Sequence, residues 1–273
     1  MAPKANKKSS AKQTPSKTTS TSIPSSSTST STSTKPNPST NTTPPNWPPL
    51  KPLIPLSDLH LTTLLKDQIL IIRNLFTGTL CKTYVSFLSS LPLVTTHTRP
   101  KRGEAVRVND RFHVHDPAFA ERLWSSTALR ELVLSDESGG GQGLWGGEVL
   151  GLNPNIRIYR YGPGQFFDRH YDDSVPLSIP SPSPTNNNTT ATTIRAKTTW
   201  TLLIYLTTCT GGETAFYPEK PTKASRQPDP VVVGLEAGMA LLHRHGESCL
   251  LHEGREVTEG EKWVIRSDLV VRR

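Results

Sequence analysis

Apolar residues are scarce up to about residue 45 and then recur in short groups of differing period. Residues 69–72, Ile-Leu-Ile-Ile, make one continuous run of strand length. Behind Thr77, the residues Leu80, Tyr84, Phe87, Leu88 and Leu91 recur at helical spacing until Pro92. That pattern predicts an amphipathic helix capped by the threonine hydroxyl. Asp116-Pro117 predicts a second helix start, with a capping carboxylate and a proline already set for the first turn; Phe119, Leu123 and Trp124 would face the core. The remaining apolar groups, at 104–108, 156–161, 200–206, 231–233, 239–242 and 262–266, read as short strands separated by glycine and proline. With no internal repeat, this order predicts a sandwich or barrel with helices packed outside. Two polar stretches, 138–143 and 178–197, read as mobile loops, and the second has too much Pro, Ser, Asn and Thr for a core strand.

Composition then separates tail from domain. Up to about residue 45 the chain is mostly Ser, Thr, Pro, Lys and Asn, with almost no large apolar side chain. It holds too little apolar surface to offset an ordering cost of roughly 1–2 kcal/mol per residue. Residues 1–50 therefore read as a disordered tail and 51–273 as the folded domain. The net charge of +8 is mostly in that tail: Lys4, Lys7, Lys8, Lys12, Lys17 and Lys35 precede the first acidic residue, Asp58. The domain carries only about +2, ordinary for a folded protein, so nucleic-acid binding through the tail is a minor reading. Neither a secretory leader nor an apolar stretch of membrane-spanning length is visible, which points to cytosol or nucleus and to no membrane partner. Cys81, Cys209 and Cys249 are odd in number and far apart, which argues against a disulfide framework or a cysteine zinc site.

The chemistry concentrates in two segments. In YGPGQFFDRHYD, residues 161–172, an extended chain would place His170 and Asp172 on one side, able to grip one ion. An HxD pair alone is weak, since a surface histidine beside a solvated carboxylate is common. The second segment, LLHEGREVTEGEKWVIRSD at 250–268, offers His252 as a third ligand. Two imidazoles and a carboxylate hold one face of an octahedron and leave the rest open, the arrangement of non-haem iron(II) oxygenases; a closed zinc site leaves no such room. Lys262, ten residues after His252, could reach the far carboxylate of a chelating dicarboxylic acid, and Arg266 shares its strand face. His243 and His245 compete with His252 as the distal ligand.

Together these segments resemble the 2-oxoglutarate and iron(II) dependent oxygenases of the prolyl 4-hydroxylase type, over about residues 69–271. The resemblance rests on RYGPGQFFDRHYD, on GGETAF at 211–216, on GMALL at 238–242, and on His252 followed by GEK at 260–262. Residues 104–112, EAVRVNDRF, also look like the strand preceding the core in this group. It implies a mainly β fold with flanking helices, a double-stranded β-helix of jelly-roll or cupin-like form. It further implies iron(II) on His170, Asp172 and His252, 2-oxoglutarate held by Lys262 with Arg266 as a second candidate, and Tyr161 lining the co-substrate pocket. Dioxygen would be the oxidant and ascorbate an auxiliary reductant. The implied reaction is hydroxylation of a prolyl or other protein side chain, with a protein or peptide as partner. A nucleic-acid dealkylase with the same metal site and a non-catalytic cupin-like binding module are the alternatives.

Blander roles are expected around this set. The glycine and lysine after His252 favour it over His243 and His245, which are expected near the barrel mouth or in solvent. Glu213 is expected to support its turn, residues 109–111 to end a strand, and Tyr159, Phe166, Phe167, Trp200, Tyr205 and Trp263 to be mostly core.

Overall fold

The computed structural model describes residues 43–96, 100, 103–135, 141–180, 193–218 and 229–273. The expected tail thus falls outside the described residues as far as residue 42, and packed structure begins soon after it. Trp47 is buried, stacks on Phe119 with ring centroids 4.0 Å apart, and donates its Nε1 proton to Asp116 at 2.7 Å.

Both expected helices form. In α1 (Gly78–Leu88) the Thr77 hydroxyl accepts from the Leu80 amide, and Leu80, Cys81, Tyr84 and Leu88 are buried. In α2 (Pro117–Ser125) Asp116 accepts from the Phe119 amide behind Pro117 at the first turn, and Phe119, Leu123 and Trp124 face inward. Two shorter helices follow, α3 (Leu129–Leu134) and α4 (Gly141–Trp145). The 138–143 loop is therefore only partly as expected: 138–140 lie outside the described residues, and the rest opens α4.

The strands make two principal sheets. The larger runs β1 (Leu61–Leu65), β2 (Ile69–Ile72), β14 (Ala240–Arg244), β10 (Thr193–Tyr205), β17 (Lys262–Arg272), β7 (Asn155–Tyr161), β5 (Asp110–His115), β3 (Val94–Thr95). Flanking that path, β6 (Val149–Leu152) pairs with β17 and β9 (Pro176–Pro180) with β10. The smaller runs β13 (Val231–Val233), β12 (Thr214–Tyr217), β15 (Leu251–Gly254), β8 (Phe166–His170), β4 (Arg107–Val108). A two-stranded ribbon joins β11 (Cys209–Gly211) to β16 (Val257–Gly260). All the pairings are antiparallel. The architecture is the expected mainly β, double-stranded β-helix. Among the described residues no helix is long and apolar enough to cross a membrane.

Several strands depart from their sequence signals because of their neighbours. Central β17 lies between β10 and β7 and is buried up to Val271, so pairing on both edges carries it past Arg266. The 178–197 expectation is corrected in part. Residues 193–197 pair with Pro176–Pro180, so both arms of this stretch are strand, and its polar residues sit where β9 flanks the sheet. Residues 181–192 lie outside the described residues. The group at 104–108 shrinks to β4, and the strand-like 104–112 stretch divides at Asn109, so that Asp110 and Arg111 open β5 rather than end a strand.

Strand alternation sorts side chains into two cores. Leu70, Ile72, Leu202, Ile204, Trp263 and Ile265 join the helices on the outer face. Ile69, Ile71, Tyr205, Leu241 and Val264 turn the other way, towards the small sheet, and fill the barrel with Phe216 and Val257. The same alternation carries polar residues inward: Thr201 on β10, His243 on β14, and Lys262 and Arg266 on β17. Glycine is required where backbones meet: a Cβ on Gly238, at φ +89°, would collide with the Phe76 carbonyl oxygen. Gly211, at φ +73°, likewise brings β11 against Glu256.

Candidate metal centre

His170 and His252 are cross-strand partners on β8 and β15, and Asp172 follows two residues after His170. Register therefore brings together ligands that lie far apart in the chain. One ligand atom from each of the three lies within 4.8 Å of the others. The His170 and His252 Nε2 atoms sit 3.8 Å from separate oxygens of Asp172. Each Nδ1 contacts a backbone carbonyl, Asp168 O at 2.7 Å for His170 and Leu250 O at 2.9 Å for His252. A carbonyl only accepts, so each Nδ1 carries the proton and each Nε2 presents its lone pair to the centre.

Charge is set for the same purpose. Burial lowers the His170 pKa to about 3 and lowers that of His252, keeping both imidazoles neutral. Burial would push Asp172 up, but the Arg266 guanidinium beside it holds it well below its ordinary value. Arg266 reaches Asp172 at 2.9 Å, and Thr201 donates to the same carboxylate at 2.9 Å. A neutral, neutral, anionic donor set with converging lone pairs fits a divalent ion with open positions.

Behind the triad lies a cavity lined by Tyr159, Tyr161, Thr214, Val264, Lys262 and Arg266. Lys262 is buried, donates to the Gly212 carbonyl at 2.6 Å, and stands 5.4 and 5.5 Å from the Tyr161 and Tyr205 ring centroids. No carboxylate pairs with it among the described residues, and burial lowers its pKa to about 8. Arg266 differs. Burial opposes its charge, yet Asp172 and then Tyr159 and Asp268 raise its pKa, and it is already paired with both carboxylates. Among the described residues of this cavity, Lys262 has no carboxylate partner, while Arg266 is paired with Asp172.

The sequence expectation for His243 and His245 is corrected in part: both are buried rather than in solvent. His243, on the inward face of β14, lies 3.7 Å from Asp172 and lines the cavity. His245 hydrogen-bonds Thr201 at 3.0 Å and Thr198 at 2.9 Å, supporting the residue that holds Asp172. Tyr159, expected in the core, lines the cavity as well, and Thr201 and Thr214 join it. Period-2 counting from Tyr161 and Lys262 was the signal available for Tyr159 and Val264; nothing local marked the threonines.

A double-stranded β-helix with a two-histidine, one-carboxylate cluster and a buried cation behind it defines a metal-dependent oxygenase of the 2-oxo acid type. The family comparison agrees: residues 156–267 match the 2OG-Fe(II) oxygenase superfamily, and with the fold and the His-Asp-His cluster this indicates a 2-oxoglutarate-dependent oxygenase. The cofactors are those of the family, iron(II), 2-oxoglutarate and dioxygen. No curated protein matches the chain. Similar solved structures include a viral collagen prolyl hydroxylase from Paramecium Bursaria Chlorella virus-1, 16% identical, covering 75% of this chain and 96% of that one, TM-score 0.45. Another is a Pseudomonas putida prolyl-4-hydroxylase, 14% identical, covering 76% and 95%, TM-score 0.48. A third is a Trichoplax adhaerens prolyl hydroxylase in complex with a hypoxia inducible factor peptide fragment, 17% identical, covering 75% and 84%, TM-score 0.48.

Proposed function

We propose that this oxygenase hydroxylates a C–H bond of a prolyl or other protein side chain, with release of succinate and carbon dioxide. The observation that carries this reading is a pair of adjoining spaces at the cluster: an inner cavity lined by His170, Asp172, His252 and Lys262, and a cleft of about 990 Å³ open to solvent that shares His170 and Asp172 with it. When bound, iron(II) with 2-oxoglutarate supplies the oxidising chemistry. The chain supplies position and dryness. His170, Asp172 and His252 would hold the ion, with Nδ1 protons anchored on carbonyls so that neither ring turns. Thr201 and Arg266 keep Asp172 anionic and oriented. Lys262 would donate to the distal carboxylate of the co-substrate, flanked by Tyr161 and Thr214. Tyr159, Leu203 and Val264 give the inner pocket largely apolar walls, which strengthens the polar contacts inside it. The cleft is wide enough for a polypeptide segment presenting one side chain to the cluster.

The test is an anaerobic titration with iron(II) and 2-oxoglutarate, followed by exposure to air with a proline-containing peptide. The expected results are a weak visible chelate band lost in His170→Ala, and a peptide gaining one oxygen atom per succinate released. Iron binding without the band would favour a non-catalytic module, and failure to bind metal would refute the triad.

A further inference from the structure

Outside the metal cluster the barrel opens into a cleft whose inner wall, Tyr159, Phe167, His170, Asp172 and Arg266, is shared with the co-substrate cavity. Four further arginines line it. Two are engaged: Arg157 pairs with Asp268 at 2.6 Å, and Arg169 with Glu253 at 3.3 Å. The other two, Arg107 at the end of the small sheet and Arg111 on β5, have no carboxylate partner among the described residues. Both are half-buried, and each guanidinium lies against a shared wall of the metal pocket. Arg107 is 4.9 Å from the Phe167 centroid and Arg111 5.9 Å from that of Tyr159. The Arg107 Nε is buried without a hydrogen-bond partner.

Among the described residues, arginines outnumber carboxylates in the lining. Burial lowers the Arg111 pKa, and Arg107 and Arg157 lower it further. Burial would raise Tyr159, but Arg266, Arg157, Arg111 and Arg107 together bring it below its ordinary value. Partly desolvated guanidiniums without anions are costly, and an anionic ligand relieves that cost. The remaining wall is not that of a phosphate-backbone channel. Tyr171 and Val175 are exposed on it, 53% and 46%, and the carboxylates Glu104 and Asp173 also line it. Apolar contacts, interspersed carboxylates and two arginines without a carboxylate partner among the described residues together suit a polypeptide better than a continuous polyanion.

We infer that the cleft takes an acidic peptide segment, Arg107 and Arg111 receiving carboxylates that flank the residue presented to the metal cluster. The inference rests on the oxygenase reading only for which residue faces the metal. Binding itself needs neither iron nor turnover.

Fluorescence anisotropy on the full-length, metal-free protein tests it with four labelled probes: a glutamate-rich proline-containing peptide, its lysine and serine counterparts, and a single-stranded oligonucleotide. Because the tail lysines are common to wild type and variants, the difference between proteins isolates the cleft. The glutamate peptide should bind tightest, and Arg107→Gln with Arg111→Gln should weaken it roughly tenfold or more while the melting temperature stays near wild type. Arg111→Glu should shift preference towards the lysine peptide, a gain that misfolding cannot produce. Equal glutamate-peptide affinity in wild type and double variant overturns the inference. So does tighter binding of the oligonucleotide that depends on the same two arginines. Loss of the iron and 2-oxoglutarate chelate band would refute the oxygenase reading by itself and leave the anisotropy result standing.

Discussion

Replacing Lys262 with methionine should separate what the residue costs the fold from what it does for the co-substrate. Its amine is buried, and its pKa falls from 10.5 to about 8. The folded state therefore binds the proton less well than the unfolded chain. That penalty is present in full below about pH 8 and is relieved as pH rises towards 10.5. At roughly 1.4 kcal/mol per unit it amounts to about 3 kcal/mol. The substitution K262M removes that penalty, but leaves the Gly212 carbonyl unpaired at a cost of about 1–3 kcal/mol. The metal-free variant should thus be as stable as wild type or slightly more so. Its affinity for 2-oxoglutarate should fall roughly 10- to 100-fold, the worth of one charge-assisted hydrogen bond. In wild type, a carboxylate beside the amine restores its proton, so affinity should decline as pH rises above about 8. K262M should lack that slope. Anaerobic titration of the chelate band across this range reads both effects. Unchanged affinity, or the same pH slope in both proteins, would refute the role and transfer it to Arg266.

His170→Ala should abolish 2-oxoglutarate-dependent succinate release, measured on iron-loaded protein; substantial turnover would remove His170 from the metal site. Asp172→Ala should also destabilise the metal-free fold by roughly 3 kcal/mol in urea, since it strands buried Arg266 with only Asp268, 3.5 Å away. Adding Arg266→Met should recover most of that loss, and a single variant as stable as wild type would show that the pair contributes nothing. Below about pH 6.5 the metal-free protein should lose stability progressively. His170, His243, His245 and His252 are kept neutral by burial, and protonating them favours the unfolded chain. A melting temperature unchanged from about pH 7 to about pH 4.5 would contradict this. Trp47→Ala should cost roughly 3–5 kcal/mol by calorimetry, through the lost Phe119 stack and the loss of one of the two hydrogen bonds to the Asp116 carboxylate.

Much of this protein is legible one segment at a time, wherever the determinant is local. The Thr77 and Asp116 caps, the Ile69–Ile72 run and the Val231–Val233 strand depend on residues within a turn or a pleat of one another. The HxD pair and the His252 to Lys262 spacing are local in the same sense, so the metal and co-substrate candidates could be named from the chain. What only tertiary structure decided is where neighbours come from distant sequence. Pairing with Thr193–Lys197 turned Pro176–Pro180 into a strand despite its polar composition. Register across β10, β14 and β17 carried Thr201, His243 and Arg266 to one carboxylate, so that Arg266 faces Asp172 while Lys262 stays unpaired. The Arg107 and Arg111 cleft likewise exists only because β4 and β5 end beside β8 and β7. Spacing along a strand reports which side a residue faces, whereas its partner there depends on the register between strands, a long-range property of the packed sheet.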